Sequence, residues 1–398
     1  PDNVYPQEYL VDYVRVYQGP DTAERFEATF VDSMAGWRQV IVPISDFVRS
    51  TEQPAGAPDD GLNLNEVWGY GFAFPEGNTA GTIGLDFVQV VPVPPPTELV
   101  VTTLDDAGPG SLREALGLIA DGGLIIFDPT LAGGTVNLLA PITVSRDVTI
   151  DAVDAPGISL NGGGADRVLI VDAEATVNVS KLTMTNGYGF QLAGCVLNNG
   201  NLTLEHVTVT SCLMETDAGD FWQGGGGIYN GEFATLNLID STVSNNTSGW
   251  TGGGIYSFFN SSTSVVRSTV SGNVALDVAG GFRTLGTVNI DNSTISGNTS
   301  TAWHGGALFA TDGMVTIINS TIVGNNAPGG TAGGLMVATF GAPVDVTVQN
   351  SIIADNGDYN CQIEGGAAAV LTSLGNNVVT DGSCAAIGSD IIVGAGAA

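Results

Sequence analysis

Lys181, His206, Asp240 and Arg267 each open a seven-residue segment of nearly the same form: Lys181-Leu-Thr-Met-Thr-Asn-Gly, His206-Val-Thr-Val-Thr-Ser-Cys, Asp240-Ser-Thr-Val-Ser-Asn-Asn and Arg267-Ser-Thr-Val-Ser-Gly-Asn. If each segment belongs to one coil of a repeat, a carboxylate, an imidazole and two bases stack in a single column. Polysaccharide-cleaving chemistry draws on such groups, as paired acids for hydrolysis or as clustered carboxylates and a base for cation-assisted elimination. The four are therefore the catalytic candidates. The same column also reads as a surface charge ladder, because its next members are the plain amides Asn292, Asn319 and Asn350 and no second carboxylate recurs at a matched register. The composition of the column favours the ladder. His304, beside Trp303 on a loop before a Gly-Gly turn, reads as solvent-facing, and Tyr229 and Tyr256 read as packing partners on neighbouring coils.

The element that must position these residues is a solenoid. The phrase returns every 25 to 34 residues between Lys181 and Asn350, and a second phrase keeps step with it: Gly226-Gly-Ile-Tyr, Gly253-Gly-Ile-Tyr, Gly280-Gly-Phe-Arg, Gly305-Gly-Ala-Leu and Gly333-Gly-Leu-Met. Apolar residues alternate with polar ones, as in Leu202/Leu204, Leu236/Leu238, Val288/Ile290 and Val315/Ile317, which is the pattern of strands with one buried face. Parity then flips, since Val243, Val270, Ile295 and Ile322 must also point inward, so a bend falls near positions 239 and 240. Asn292, Asn319 and Asn350 stand at that bend as one ladder, and Asn246, Asn273, Asn298, Asn325 and Asn356 form another at the next turn. The fold class is all-β: a right-handed parallel β-helix over residues 99–398, of about eight coils and roughly 40 Å at ~4.8 Å per coil. Ser111 followed by Glu114 marks a short N-terminal capping helix. The last residues show no comparable plug.

Ten Lys and Arg face 41 Asp and Glu, a net charge of −31. That field excludes nucleic acid as a partner and disfavours anionic membranes and polyanionic substrates. No apolar run is long enough to span a membrane. Four cysteines fall in two local pairs, Cys195 with Cys212 and Cys361 with Cys384, without the spacing or the histidines of a zinc site, so they read as disulfides of an extracellular, secreted protein. A chain that opens abruptly on Pro1 reads as a processed or partial polypeptide.

Ahead of the solenoid the composition changes. Residues 92–98 are a Pro-rich linker, and residues 19–91 carry alternating segments, among them 39–44 and 69–74, that read as antiparallel strands of a partial β-sandwich. Val11-Asp-Tyr-Val-Arg-Val-Tyr is echoed by Leu85-Asp-Phe-Val-Gln-Val-Val, so residues 1–18 read as a terminal strand of a jelly roll, the tail of a preceding domain.

Several of these motifs are familiar. Val101-Thr-Thr-Leu-Asp-Asp-Ala-Gly-Pro-Gly-Ser-Leu-Arg-Glu-Ala, with the Gly-Gly-Ile-Tyr and Asn-Ser-Thr-Ile-Ser-Gly-Asn phrases, resembles bacterial surface β-helix proteins related to polymorphic outer-membrane proteins. Gly36-Trp-Arg-Gln-Val, Pro43-Ile-Ser-Asp-Phe and Gly61-Leu-Asn-Leu-Asn-Glu-Val-Trp-Gly-Tyr-Gly-Phe resemble the second half of a family 11 carbohydrate-binding jelly roll. Gln7-Glu-Tyr-Leu-Val-Asp-Tyr-Val-Arg-Val-Tyr resembles the final strand of family 16 glycoside hydrolases. The second resemblance implies a polysaccharide ligand and offers Trp37, Trp68 and Tyr70 to it, although the alternation around the two tryptophans favours sandwich core. Asp86 is the position at which it implies structural calcium; no other cofactor is expected. The combined expectation is a non-enzymatic structural or adhesive protein. In its sharper form the spare strand at residues 7–17 is donated head to tail between copies to make a filament. A polysaccharide lyase or glycoside hydrolase, and a simple carbohydrate-binding protein, are the alternatives.

Overall fold

A computed structural model describes residues 9–18, 25–32, 44–51, 53, 55, 57, 67–73, 94–217, 222–330, 332–339, 341–384, 386 and 388–393. The chain divides into two units, Pro1–Pro94 and Pro95–Ala398, with the boundary inside the Pro-rich segment.

In the first unit the described residues form a four-stranded antiparallel sheet, ordered Val48–Arg49, Arg25–Asp32, Tyr9–Gln18, Val67–Ala73. Tyr9–Gln18 pairs along both edges, Val16 opposite Phe26 on one side and Tyr70 on the other. Within the chain it is therefore an interior strand of this sheet and not a spare one; residues 7–8 lie outside the described residues. Of the alternating segments read in the sequence, 69–74 coincides with Val67–Ala73, while 39–43 lies outside the described residues.

The second unit is a parallel β-solenoid with little helix. Two of its faces are eleven-stranded sheets and the third has nine strands, with a short fourth sheet of five. One coil runs Ser262–Val266 on the first face, Thr269–Ser271 on the second, Val274–Ala275 in the short sheet and Phe282–Thr284 on the third. Eleven strands exceed the eight coils expected, because the outermost coils lack the repeated phrase; ten intervals of ~4.8 Å give a core about 48 Å long. Leu236, Leu238, Val288, Ile290, Val315 and Ile317 are all essentially inaccessible, as the alternation requires. The parity flip also has its expected cause. Asp240, Arg267, Asn292, Asn319 and Asn350 sit at φ 48, 47, 49, 53 and 51°, a left-handed residue that turns the chain from the first face to the second.

The two glycines of the second phrase lie where neighbouring coils approach too closely for a side chain. A Cβ at Gly226 would collide with the carbonyl oxygen of Gly253, and one at Gly253 with that of Gly280. The first coil is closed by the helix Leu112–Leu118. Ser111 accepts the Glu114 N–H at 3.1 Å, Glu114 accepts from the Gly110 N–H at 2.5 Å, and Leu112, Ala115 and Ile119 enter the solenoid core. At the other end, Ile391–Ile392 pairs in parallel with Val378–Val379.

Candidate functional site

The corner between the first and second faces gathers the four candidates. Lys181, His206, Asp240 and Arg267 follow one another on successive coils, all with positive φ. Their amides continue the ladder onto the next coil: His206 N–H to the Ile239 carbonyl at 3.0 Å, Asp240 N–H to Val266 at 3.1 Å and Arg267 N–H to Asp291 at 3.1 Å. The side chains then pair along the axis. Arg267 grips Asp240 with two bonds, Nε to Oδ1 at 2.8 Å and Nη2 to Oδ2 at 2.7 Å, and Lys181 Nζ lies 3.4 Å from Asp151. Asn319 donates to Asp291 at 3.0 Å, Asn350 to Asn319 at 3.3 Å and Asn376 to Asn350 at 3.2 Å, so the amide half of the column is a ladder too.

This electrostatics decides what the column can do. The hydrogen bond from Arg267 holds the Asp240 carboxyl below its ordinary range, with the charges of Arg267 and His206 acting the same way; Arg267 is raised in return. A carboxylate with both oxygens engaged and a lowered pKa is a poor proton acceptor. Glu205, one position before His206, was not among the sequence candidates, yet its carboxylate joins the His206 and Asp240 donors within 4.8 Å. Two carboxylates and an imidazole make a donor set suited to a divalent transition metal rather than to calcium, which takes six to eight oxygens. A cation there would also meet the Arg267 guanidinium on Asp240.

Elsewhere the aromatic candidates pack. Tyr256 is fully buried and Tyr229 nearly so, edge to face at 5.3 Å, and burial pushes the Tyr229 hydroxyl pKa up. Phe258, Phe259 and Trp222 extend this cluster. Trp303 is exposed and meets His304 edge to face at 5.6 Å. Arg283, which sequence reasoning passed over, is 4% exposed, with its guanidinium 4.4 Å above the Phe309 ring; burial lowers its pKa. Both cysteine pairs form disulfides, Cys195–Cys212 with Cα atoms 5.5 Å apart and Cys361–Cys384 at 5.0 Å.

In the first unit, Trp68 and Tyr70 lie on the strand Val67–Ala73, which pairs with Tyr9–Gln18. Trp37 and Asp86 lie outside the described residues. Residues 15–92 match the carbohydrate-binding domain of family 11. The match takes in Trp37, Trp68, Tyr70 and Asp86 and reaches back into the strand Tyr9–Gln18, so that strand and the sugar-binding-like segment share one sheet. No curated protein and no solved structure matches the chain, and the likenesses to polymorphic outer-membrane proteins and to family 16 glycoside hydrolases rest on their motifs alone.

Proposed function

We propose that this is an extracellular, non-catalytic carbohydrate-binding protein with an adhesive role, its first unit engaging a glycan and its solenoid serving as a stiff acidic scaffold. The observation that carries the reading is the match of residues 15–92 to a carbohydrate-binding domain, joined in one chain to a β-solenoid. Two disulfides support an oxidising location, and among the described residues no helix is long and apolar enough to cross a membrane. The likeness of the solenoid motifs to bacterial surface β-helix proteins supports a cell-surface setting. Head-to-tail association stays within this proposal, although within the chain Val14–Tyr17 already has a neighbour on each edge and Tyr9–Val11 on one.

The test is retention of the full chain on a panel of neutral and acidic polysaccharides, by affinity electrophoresis or calorimetry, with Trp68→Ala and Tyr70→Ala beside it. Retention lost in either variant, with the solenoid still folded, supports the reading; no retention on any glycan sinks it. The competing reading, a polysaccharide lyase or hydrolase, draws on Glu205, His206 and Asp240. Product formation that disappears in Asp240→Asn would establish it against the proposal.

A further inference from the structure

The capping helix and the edge strand of the third face flank a half-open cleft of about 240 Å³. Two of the chain's ten basic residues, Arg113 and Arg146, line it, and among the described residues no acid does. Arg113 is held rigidly, with Nη1 on the Pro141 carbonyl at 2.9 Å and Nη2 on the Ala140 carbonyl at 2.7 Å and on Asp106 at 2.6 Å. Arg146 is anchored by one bond, Nη1 to the Ile119 carbonyl at 2.8 Å. Among the described residues no carboxylate ion-pairs with it, so most of its fork of donors is open to a ligand.

The floor of the cleft is a strand edge. Ile142–Val144 ends the third face. Ile142 N–H and the Val144 carbonyl are used on the next coil, by Val168 and Asp172 at 2.9 Å each. Strand alternation therefore turns the Thr143 amide and carbonyl toward the open edge. Thr143 and Ser145 line the cleft beside this edge, and Leu116 and Gly117 supply the helix-side wall.

We propose that this cleft binds a single carboxylate-bearing sugar unit, a uronic acid, with the carboxylate on the guanidinium of Arg146 beside that of Arg113 and the ring hydroxyls on the strand edge. Guanidinium forks match planar carboxylates in pairs of parallel bonds. Pockets for drug-sized ligands measure ~300–1,000 Å³, so a smaller cleft of this size takes one ring. The choice of a sugar acid over other carboxylates rests on the carbohydrate-binding reading; the anion site itself does not.

The experiment is calorimetric titration of the full chain with D-glucuronate, D-glucose, acetate and inorganic phosphate at ~0.15 M salt, where a Debye length of about 8 Å screens the distant acids but not a direct contact. Glucuronate should bind one to one with a Kd on the order of 1 mM, and the other three at least tenfold more weakly, which is about 1.4 kcal/mol. Arg146→Gln should weaken glucuronate at least tenfold. Gly117→Leu should abolish it while keeping the fold, because no atom lies within 4 Å of the added Cβ and leucine suits a helix better than glycine. Acetate or phosphate binding as well as glucuronate, glucuronate binding untouched by both variants, or no saturation by glucuronate each overturns the proposal. Retention on neutral glycans should be unchanged in both variants, so failure of the cleft and failure of the front unit as a glycan binder are read separately.

Discussion

Replacing Asn298 by alanine tests whether the buried amide ladder, rather than the apolar core alone, sets the stability of the middle coils. Asn298 is inaccessible to solvent, and its side chain is shared between three coils. Its Nδ2 donates to the Val270 carbonyl and to Asn325 Oδ1, both at 2.9 Å. Its Oδ1 accepts from the Asn273 backbone N–H at 3.0 Å and from Asn273 Nδ2 at 2.9 Å. Truncation leaves the Asn273 amide with no acceptor in the interior, a cost of ~1–3 kcal/mol, and removes further neutral bonds worth ~1 kcal/mol each. The expected loss is about 3 kcal/mol. The comparison variant is Asn350→Gly, on the exposed ladder, where glycine keeps the positive φ of 51° and only two surface bonds disappear, to Asn319 at 3.3 Å and from Asn376 at 3.2 Å; its cost should stay under ~0.5 kcal/mol. Urea unfolding gives the global value, and hydrogen exchange at the Asn273 and Asn298 amides gives the local one, which matters in a stack where each coil touches only its neighbours. If Asn298→Ala costs under ~1 kcal/mol, no more than twice Asn350→Gly, with no faster exchange at those amides, the reasoning from buried satisfaction is refuted.

Three further outcomes follow from the same structure. Phe233→Asn should raise stability by ~1 kcal/mol in thermal or urea unfolding, because Phe233 is 74% exposed and held at φ 60°, a conformation asparagine adopts more readily. Breaking the Cys361–Cys384 bridge by paired Cys→Ala replacement should cost about 3 kcal/mol, read as proteolytic nicking confined to the last coils while Cys195–Cys212 is undisturbed. Arg267→Gln should move the Asp240 carboxyl titration back up, followed by carboxyl carbon shifts in NMR. With its folded pKa depressed, Asp240 contributes stability that is in place above its unfolded value of ~3.9 and is lost as pH falls through the lower folded one, and the variant should lose that acid-side dependence.

Much of the solenoid was legible because a parallel stack writes its contacts into the sequence at a fixed period. The ladder from Asn246 to Asn356 is one residue type recurring at one register, the bend at Asp240 and Arg267 shows as a parity flip repeated on successive coils, and the Ser111 cap and both disulfides are pairs close in sequence. Less was legible where side chains cross registers. Ser241, Ser268, Ser293 and Ser320 form a second buried ladder, each backbone N–H meeting the next hydroxyl at 3.0–3.1 Å; the repeating serine was visible, but serine suits a surface as well. Glu205 escaped notice because its position is Ile239 on the next coil, so nothing recurs. Arg283 sits in a column of Tyr256, Phe309 and Met336 on the outer side of the third face, where an arginine would be expected to face water; loops cover that side, and loops of variable length leave no periodic trace. The Arg113–Arg146 cleft joins a helix to a strand edge nearly thirty residues away, outside the repeat.

The pairing rule of the solenoid also decides between its two clusters of charge as ligand sites. Inward positions are taken by the core and strand backbones by adjacent coils, so free backbone donors and acceptors remain at corners and at ends. At the first corner the coils stack one charge above another, and the contacts follow: Lys181 with Asp151, Arg267 with both oxygens of Asp240, Asn319 with Asp291. A ligand carboxylate arriving there must displace an existing partner of Arg267, and a cation must share Asp240 with a guanidinium. At the capped end the register runs out. Arg113 satisfies the carbonyls of the bend beneath the helix, Arg146 ion-pairs with no carboxylate among the described residues, and the Thr143 backbone has no neighbouring coil to pair with. The same repetition that neutralises the corner column therefore leaves its unsatisfied donors at the end of the stack, where binding an anion breaks nothing already made.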